Sequence, residues 1–229
     1  MKTIGLIGGM SWESSAEYYR MINEAVRRRL GGLHSARCIV YSLDFAEVEV
    51  CQSSGNWDAA AAILRDAARG LEAAGADFIL IGANTMHKVI APVQAGIHIP
   101  ILHIADLTAA AILAQGIPAV GLLGTRYTME QDFYTARLEA QGIRVLVPEA
   151  ADRALVNAVI YDELCVGQVL EGSRDQFRRI IAALVERGAQ GIVLGCTELD
   201  LLVKPADSPV PLFDTTLIHA ESAVDFALA

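Results

Sequence analysis

The stretch Ile192-Val193-Leu194-Gly195-Cys196-Thr197-Glu198 joins an apolar run to a turn that presents a cysteine. A short apolar run predicts a buried strand, and Gly195 permits a tight exit from it. The backbone N–H groups of Thr197 and Glu198 are expected to open a helix, and the partial positive charge of a helix N-terminus lowers the pKa of a thiol. The stretch therefore predicts that Cys196 can form a thiolate; the alternative is an ordinary buried free cysteine.

A second copy of this pattern lies upstream. Ile79-Leu80-Ile81-Gly82-Ala83-Asn84-Thr85 aligns with the first stretch at an offset of 113 residues (192 − 79). Gly5-Leu6-Ile7-Gly8 aligns with Gly121-Leu122-Leu123-Gly124 at an offset of 116 residues (121 − 5). Two such copies predict two similar halves whose strand ends face each other across a cleft. Ala83 is then the counterpart of Cys196, so only one side carries a thiol.

The fold class follows from the alternation of strands and helices along the chain. This alternation predicts an α/β fold of two pseudo-symmetric domains, each with a mainly parallel sheet flanked by helices and with the active site in the cleft between them. We expect residues 1–100 and 210–229 to form the first half, and residues 101–209 the second. In the second half, Thr128 is predicted to cap a helix, with Gln131 completing a capping box.

Composition excludes several classes of protein. The 229 residues are 53% apolar and 20% charged, which is ample for a real core. A net charge of −9 argues against nucleic-acid binding. The sequence has no apolar run long enough for a membrane span and no signal-peptide pattern, so we expect no membrane partner and a cytoplasmic protein. The four cysteines form no Cys-x-x-Cys pair, which argues against a zinc site and a disulfide framework.

The chemistry that suits such a cleft is inversion of a carbon acid. A thiolate removes a proton from one face, and a thiol on the other face returns one, provided that thiol pKa values move toward neutrality from about 8.5. Hydrogen-bond donors must also hold a carboxylate and stabilise the charge that develops on it. Candidate donors at the strand exits are Met10, Ser11, Asn84, Thr85, Thr125, Thr197 and Glu198. Gln52 could add an amide donor, although its position favours an exposed side chain, and His87 is a possible ligand-binding residue.

Four motifs together resemble the aspartate/glutamate racemase family, and the likeness covers essentially the whole chain. They are Gly8-Gly9-Met10-Ser11, Asn84-Thr85-Met86-His87-Lys88, Gly124-Thr125-Arg126-Tyr127-Thr128-Met129 and Gly195-Cys196-Thr197-Glu198. The resemblance implies an amino-acid substrate with carboxylates, catalysis without pyridoxal phosphate or metal, and a homodimer. It also implies that Cys196 is the second of the family's two catalytic cysteines.

The sequence departs from the family at Ala83. The family usually places cysteine before Asn-Thr, and a subgroup selective for L-aspartate and L-glutamate places threonine there; alanine has no proton to give or take. Four interpretations stay open. The chain is a racemase impaired at its first acid–base position, a single-cysteine decarboxylase-like enzyme, a non-catalytic protein that binds a small amino acid or dicarboxylate, or a racemase with another donor such as ordered water or His87.

Overall fold

The computed structural model describes all residues from Met1 to Ala229 and divides into two compact units. The first unit comprises Met1–Ile104 and His219–Ala229, and the second comprises Ala105–Ile218. The chain therefore passes from one unit to the other twice. None of its helices is both long enough and apolar enough to cross a membrane.

The first unit is built on three parallel strands. These are β1 (Ile4–Gly8), β2 (Cys38–Ser42) and β3 (Phe78–Ile81), in the spatial order β2-β1-β3. The helices of this part of the chain are α1 (Trp12–Leu30), α2 (Phe45–Ser53), α3 (Trp57–Ala73) and α4 (Ile90–Gln94), with a 3-10 turn at Thr85–Val89.

The second unit is built on four parallel strands. They are β4 (Ala119–Gly124), β5 (Arg144–Leu146), β6 (Ile192–Gly195) and β7 (Leu212–Asp214), in the order β5-β4-β6-β7. The helices are α5 (Ile104–Ala114), α6 (Arg126–Glu130), α7 (Asp132–Ala140), α8 (Ala150–Ala158), α9 (Glu171–Glu186), α10 (Leu199–Leu202) and α11 (Thr215–Leu228), the last of which ends in the first unit. A π-helical turn (Val159–Glu163) and short 3-10 turns (Leu164–Val166 and Pro205–Asp207) complete the regular structure.

The central strand β1 of the first unit is covered on both faces. Consecutive residues of a strand point to opposite faces. Accordingly, Leu6 belongs to an apolar cluster with Ile22 of α1 and Ala223 of α11, whereas Ile7 belongs to another with Leu64 of α3. Burial on both faces explains why β1 and β3 are continuous apolar runs, as is usual for parallel sheets, whereas β2 is partly exposed.

The strand register confirms the internal repeat. Ile7 of β1 lies opposite Ile81 of β3, and Leu123 of β4 lies opposite Leu194 of β6. These are the same positions that the two offsets align in the sequence. Each unit thus repeats one arrangement of a glycine strand beside a second strand that delivers the candidate site residues.

Two local assignments differ from the sequence analysis. Thr125, not Thr128, is the N-cap of α6, and its Oγ1 accepts a hydrogen bond from the backbone N–H of Thr128 at 3.4 Å. The helix therefore starts three residues earlier, directly at the strand exit. The boundaries of the two halves also differ: residues 210–218 lie in the second unit because β7 pairs with β6 over Leu212–Asp214, and residues 101–104 lie in the first, where Ile101 bridges to Ile79.

Candidate functional site

The first group of candidate residues surrounds Ala83. Because β1 and β3 are parallel neighbours, the turns that follow them lie side by side. Ala83 is 8% exposed and belongs to the same apolar cluster as Met10, Cys51 and Met86. Gln52 of α2 is buried, contrary to the sequence expectation, and its amide Nε2 donates to the sulfur of Met86 at 3.0 Å. The side chain at position 83 is therefore in mainly apolar surroundings.

Polar groups at the two strand exits complete this Ala83 cluster. Ser11 is the N-cap of α1, and its Oγ accepts from the backbone N–H of Ser14 at 3.3 Å. Asn84 and Thr85 are buried in the turn that follows β3. The first turn depends on Gly9, which has φ of 86°, and a Cβ built there would lie 2.1 Å from the carbonyl oxygen of Leu43. A side chain at position 9 would therefore displace the backbone that carries Met10 and Ser11.

His87 is engaged with the backbone through both ring nitrogens. Its Nδ1 lies 2.9 Å from the carbonyl oxygen of Ala83, and the N–H of Ile104 points to its Nε2 at 3.3 Å. Since Nε2 accepts a hydrogen bond, the ring proton lies on Nδ1 and is donated to Ala83. This arrangement does not favour His87 as the alternative proton donor.

The second group of candidate residues surrounds Cys196. Gly124 of β4 lies opposite Gly195 of β6, so Thr125 and Cys196 leave neighbouring strands. A Cβ at Gly195 would lie 2.9 Å from the carbonyl oxygen of Leu123, so only glycine allows this approach. The two groups lie in different units: Thr125, Cys196, Thr197 and Glu198 in the second, and the remaining candidates in the first.

One carboxylate oxygen organises the Cys196 cluster. The thiol of Cys196 and the hydroxyl of Thr197 each donate to Glu198 Oε2, both at 2.9 Å. Glu198 is only 3% exposed, so its carboxylate is held close to the thiol within the protein. Hydrogen bonds to an ionised acceptor are among the stronger ones in proteins.

The pKa of Cys196 is raised well above that of an ordinary thiol, so the expected lowering is wrong. Burial is the largest cause, and the negative charge of Glu198 is the next. The helix effect is small here because α10 begins only at Leu199 and is one turn long. Cys196 therefore rests as a thiol whose proton is directed to the Glu198 carboxylate.

Two further residues of the second unit were not predicted from the sequence to lie near Cys196 or its strand. Cys165 packs against the same apolar core as Cys196, but no spacing signal connects two segments so distant in sequence. Asp214 ends β7 opposite Leu194; burial, and then the charge of Asp200, raises its pKa to about 6. Its Oδ1 accepts from the N–H of Thr216 at 2.8 Å, which makes it a cap for α11.

No group of three or more His, Cys, Asp or Glu side chains is arranged to hold a metal ion.

Comparisons with known proteins agree with this architecture. The model of the family described as Asp/Glu/Hydantoin racemase matches residues 7–223. The broad specificity amino-acid racemase RacX of Bacillus subtilis is 28% identical over 165 residues, which cover 72% of this chain and 70% of that protein. A crystal structure from Yersinia pestis, provisionally assigned as an Asp/Glu racemase, is 56% identical with a TM-score of 0.93 and full coverage of both chains. An aspartate racemase homologue from Pyrococcus horikoshii is 36% identical with a TM-score of 0.87, again over the full length of both. The chain belongs to the Asp/Glu/hydantoin racemase family.

Proposed function

We propose that this protein acts on aspartate- or glutamate-type amino acids by cofactor-independent proton transfer at Cα, and that Ala83 impairs its inversion of the stereocentre. The observation that carries the proposal is the hydrogen bond from the Cys196 thiol to the buried Glu198 carboxylate, at 2.9 Å. This hydrogen bond pairs the Cys196 thiol, which can exchange a proton with Cα, with the Glu198 carboxylate, which can accept the thiol proton before that exchange. Membership of the Asp/Glu/hydantoin racemase family supports this choice of substrate class.

The proposed reaction needs only these two side chains on one face of the substrate. Glu198 accepts the thiol proton of Cys196, and the resulting thiolate removes the proton from Cα. The electron pair left on carbon delocalises into the substrate carboxylate. Hydrogen-bond donors that stabilise this charge lower the barrier. We assign that role to Ser11, Asn84, Thr85, Thr125 and Thr197, which lie at the strand exits.

The residue at position 83 decides the stereochemical outcome. Inversion requires a second group that protonates the opposite face, and alanine has none. After the thiol proton of Cys196 has exchanged with solvent, the thiol protonates the same face of the carbon, and Glu198 returns its proton to the thiolate. We therefore expect exchange of the α-proton with solvent, with retention of configuration, to outpace inversion by about 10²-fold or more.

Deuterium wash-in tests this function directly. The protein is incubated in deuterated water with L-aspartate, L-glutamate and the D-enantiomers, while NMR follows the α-proton and polarimetry follows inversion. We expect exchange of one enantiomer without matching inversion, and loss of that exchange in Cys196→Ser. Absence of exchange with all four acids contradicts the proposal and favours a binding protein. Inversion as fast as exchange contradicts the role assigned to Ala83.

A second candidate function is stereospecific protonation after decarboxylation. Two observations favour it: Cys196 rests as a protonated thiol, and Ala83 lies in an apolar cluster with Met10, Cys51 and Met86. Apolar surroundings disfavour a charged carboxylate and so promote the loss of carbon dioxide. This function requires release of carbon dioxide from an α-substituted malonate, and its loss in Cys196→Ala.

We also propose that the protein is a homodimer. Strand β2 is at the edge of its sheet, and its residues Val40 and Tyr41 are each 42% exposed. An exposed apolar edge strand is a surface that proteins commonly cover by association. We expect sedimentation equilibrium of the wild-type protein to give twice the 24.5 kDa mass of one chain. We expect the double variant Val40→Lys, Tyr41→Lys to sediment with the mass of one chain. A wild-type protein that sediments as one chain contradicts this proposal.

A further inference from the structure

Three of the five histidines form a buried cluster in the first unit. The ring of His87 lies 4.7 Å from that of His103 and 5.8 Å from that of His219, measured between centroids. The Tyr18 hydroxyl reaches His219 Nδ1 at 2.9 Å. Polar side chains are costly to bury unless their hydrogen bonds are satisfied, so the partners of these rings define their state.

The hydrogen bonds and the lowered pKa of His219 together indicate a neutral ring. Its Nε2 lies 3.1 Å from the carbonyl oxygen of Leu102, which can only accept, so Nε2 carries the ring proton. In a neutral ring Nδ1 has no proton, so it accepts a hydrogen bond from the Tyr18 hydroxyl. Burial is the main cause that lowers the pKa of His219, to about 3.

His87 has the opposite tautomer. Its Nδ1 donates to the carbonyl oxygen of Ala83, and its Nε2 accepts from the N–H of Ile104. His87 thus joins the turn after β3 to residues 102–104, a segment that His219 also holds at Leu102. A second ring proton would face the N–H of Ile104, so this arrangement requires a neutral ring.

We propose that neutral His87, as its Nδ1–H tautomer, is a positioning residue that orients the peptide between Ala83 and Asn84 for substrate binding. The C=O of Ala83 and the N–H of Asn84 belong to one planar peptide and point in opposite directions. A hydrogen bond that fixes the carbonyl therefore fixes the direction of the Asn84 N–H as well. The inference rests on the proposed function, in which Asn84 and Thr85 bind the substrate carboxylate.

Two substitutions separate this role from simple packing. His87→Asn keeps a donor at the position of Nδ1, whereas His87→Gln keeps an acceptor near the position of Nε2. We expect His87→Asn to bind the preferred amino acid within about threefold of wild type, and His87→Gln to bind it about tenfold more weakly, a difference of about 1.4 kcal/mol. Calorimetric titration with L-aspartate and L-glutamate measures the affinity, and thermal unfolding of both variants measures the packing cost. His98→Gln is the control, because that side chain is 98% exposed.

The tautomer is measured independently of any ligand. Nitrogen-15 NMR of the histidine rings at pH 7 is expected to show the Nδ1–H form for His87 and the Nε2–H form for His219. A protonated His87 ring, or its Nε2–H form, overturns the inference. Equal losses of affinity in both variants, or none in either, overturn it too. The wild-type protein could have the expected tautomers and yet neither bind any of the amino acids nor exchange their α-protons. In that case the proposed function is wrong, and the positioning role of His87 is wrong as well.

Discussion

Replacing Ala83 with threonine or cysteine is expected to raise the rate of aspartate or glutamate inversion by about 10²- to 10⁴-fold, the usual contribution of a general acid–base group. Either side chain supplies a proton at the position where the chain has only a methyl group. The backbone there is held by the hydrogen bond from His87 Nδ1 to the Ala83 carbonyl oxygen, at 2.9 Å. The new hydroxyl or thiol should therefore take a reproducible place. Circular dichroism of the amino acid gives the inversion rate.

Ala83→Val is the matched control for this experiment. Valine has the shape of threonine but no exchangeable proton, and it imposes a similar crowding cost in the apolar cluster, typically about 1–3 kcal/mol. We expect it to leave inversion at the wild-type level. A double variant, Ala83→Cys with Cys196→Ser, should exchange the enantiomer that wild type does not. Folded threonine and cysteine variants that invert no faster than valine would remove the basis for the role of position 83.

The substitution Glu198→Gln is expected to have two effects of opposite sign on Cys196. Removing the negative charge lowers the thiol pKa, so alkylation of Cys196 by iodoacetamide should become fast at a lower pH than in wild type. At the same time, no carboxylate remains to receive the thiol proton, so α-proton exchange should fall by about 10²- to 10³-fold. A Glu198→Gln variant whose Cys196 is alkylated faster but whose α-proton exchange is slower would identify Glu198 as a proton acceptor. A residue that only packs would not produce this combination.

Cys38 serves as an internal reference for the alkylation measurement. Peptide mass spectrometry resolves each cysteine, and Cys38, whose pKa burial raises to about 11, should keep its profile in the variant. Glu186→Gln, at an exposed position of the same unit, is the control for loss of one charge. If Glu198→Gln leaves exchange unchanged, the proton acceptor is another group. If the alkylation profile moves to higher pH, the electrostatic account of the Cys196 pKa is wrong.

Local patterns were enough to predict the positions of most strands and helices. The apolar run before Gly195 and its upstream copy identify β6 and β3. Their equivalence is confirmed by the matching registers of Leu123 with Leu194 and of Ile7 with Ile81. These elements are predictable because a buried parallel strand leaves a continuous apolar signal over neighbouring residues. The predicted cap of α6 is wrong because Thr125 and Thr128 are both good N-cap residues, and only the end of β4 decides between them.

Properties that depend on residues far apart in sequence were not predictable. The pairing of β7 with β6 sets the unit to which residues 210–218 belong, and it brings together strands separated by a turn, a helix and a loop. The cluster of His87, His103 and His219 likewise depends on helix α11 returning to the first unit. No periodicity in the sequence encodes such contacts.

The sequence by itself determined the family, the repeated strand–turn–helix and the absence of an exchangeable proton at Ala83, because these depend on residue identity and near neighbours. The tertiary structure decided the protonation states. A helix N-terminus favours a thiolate at Cys196, but burial and the Glu198 carboxylate reverse that preference. The reason is that desolvation and charge–charge interactions act through space, and only the folded chain sets the distances on which they depend.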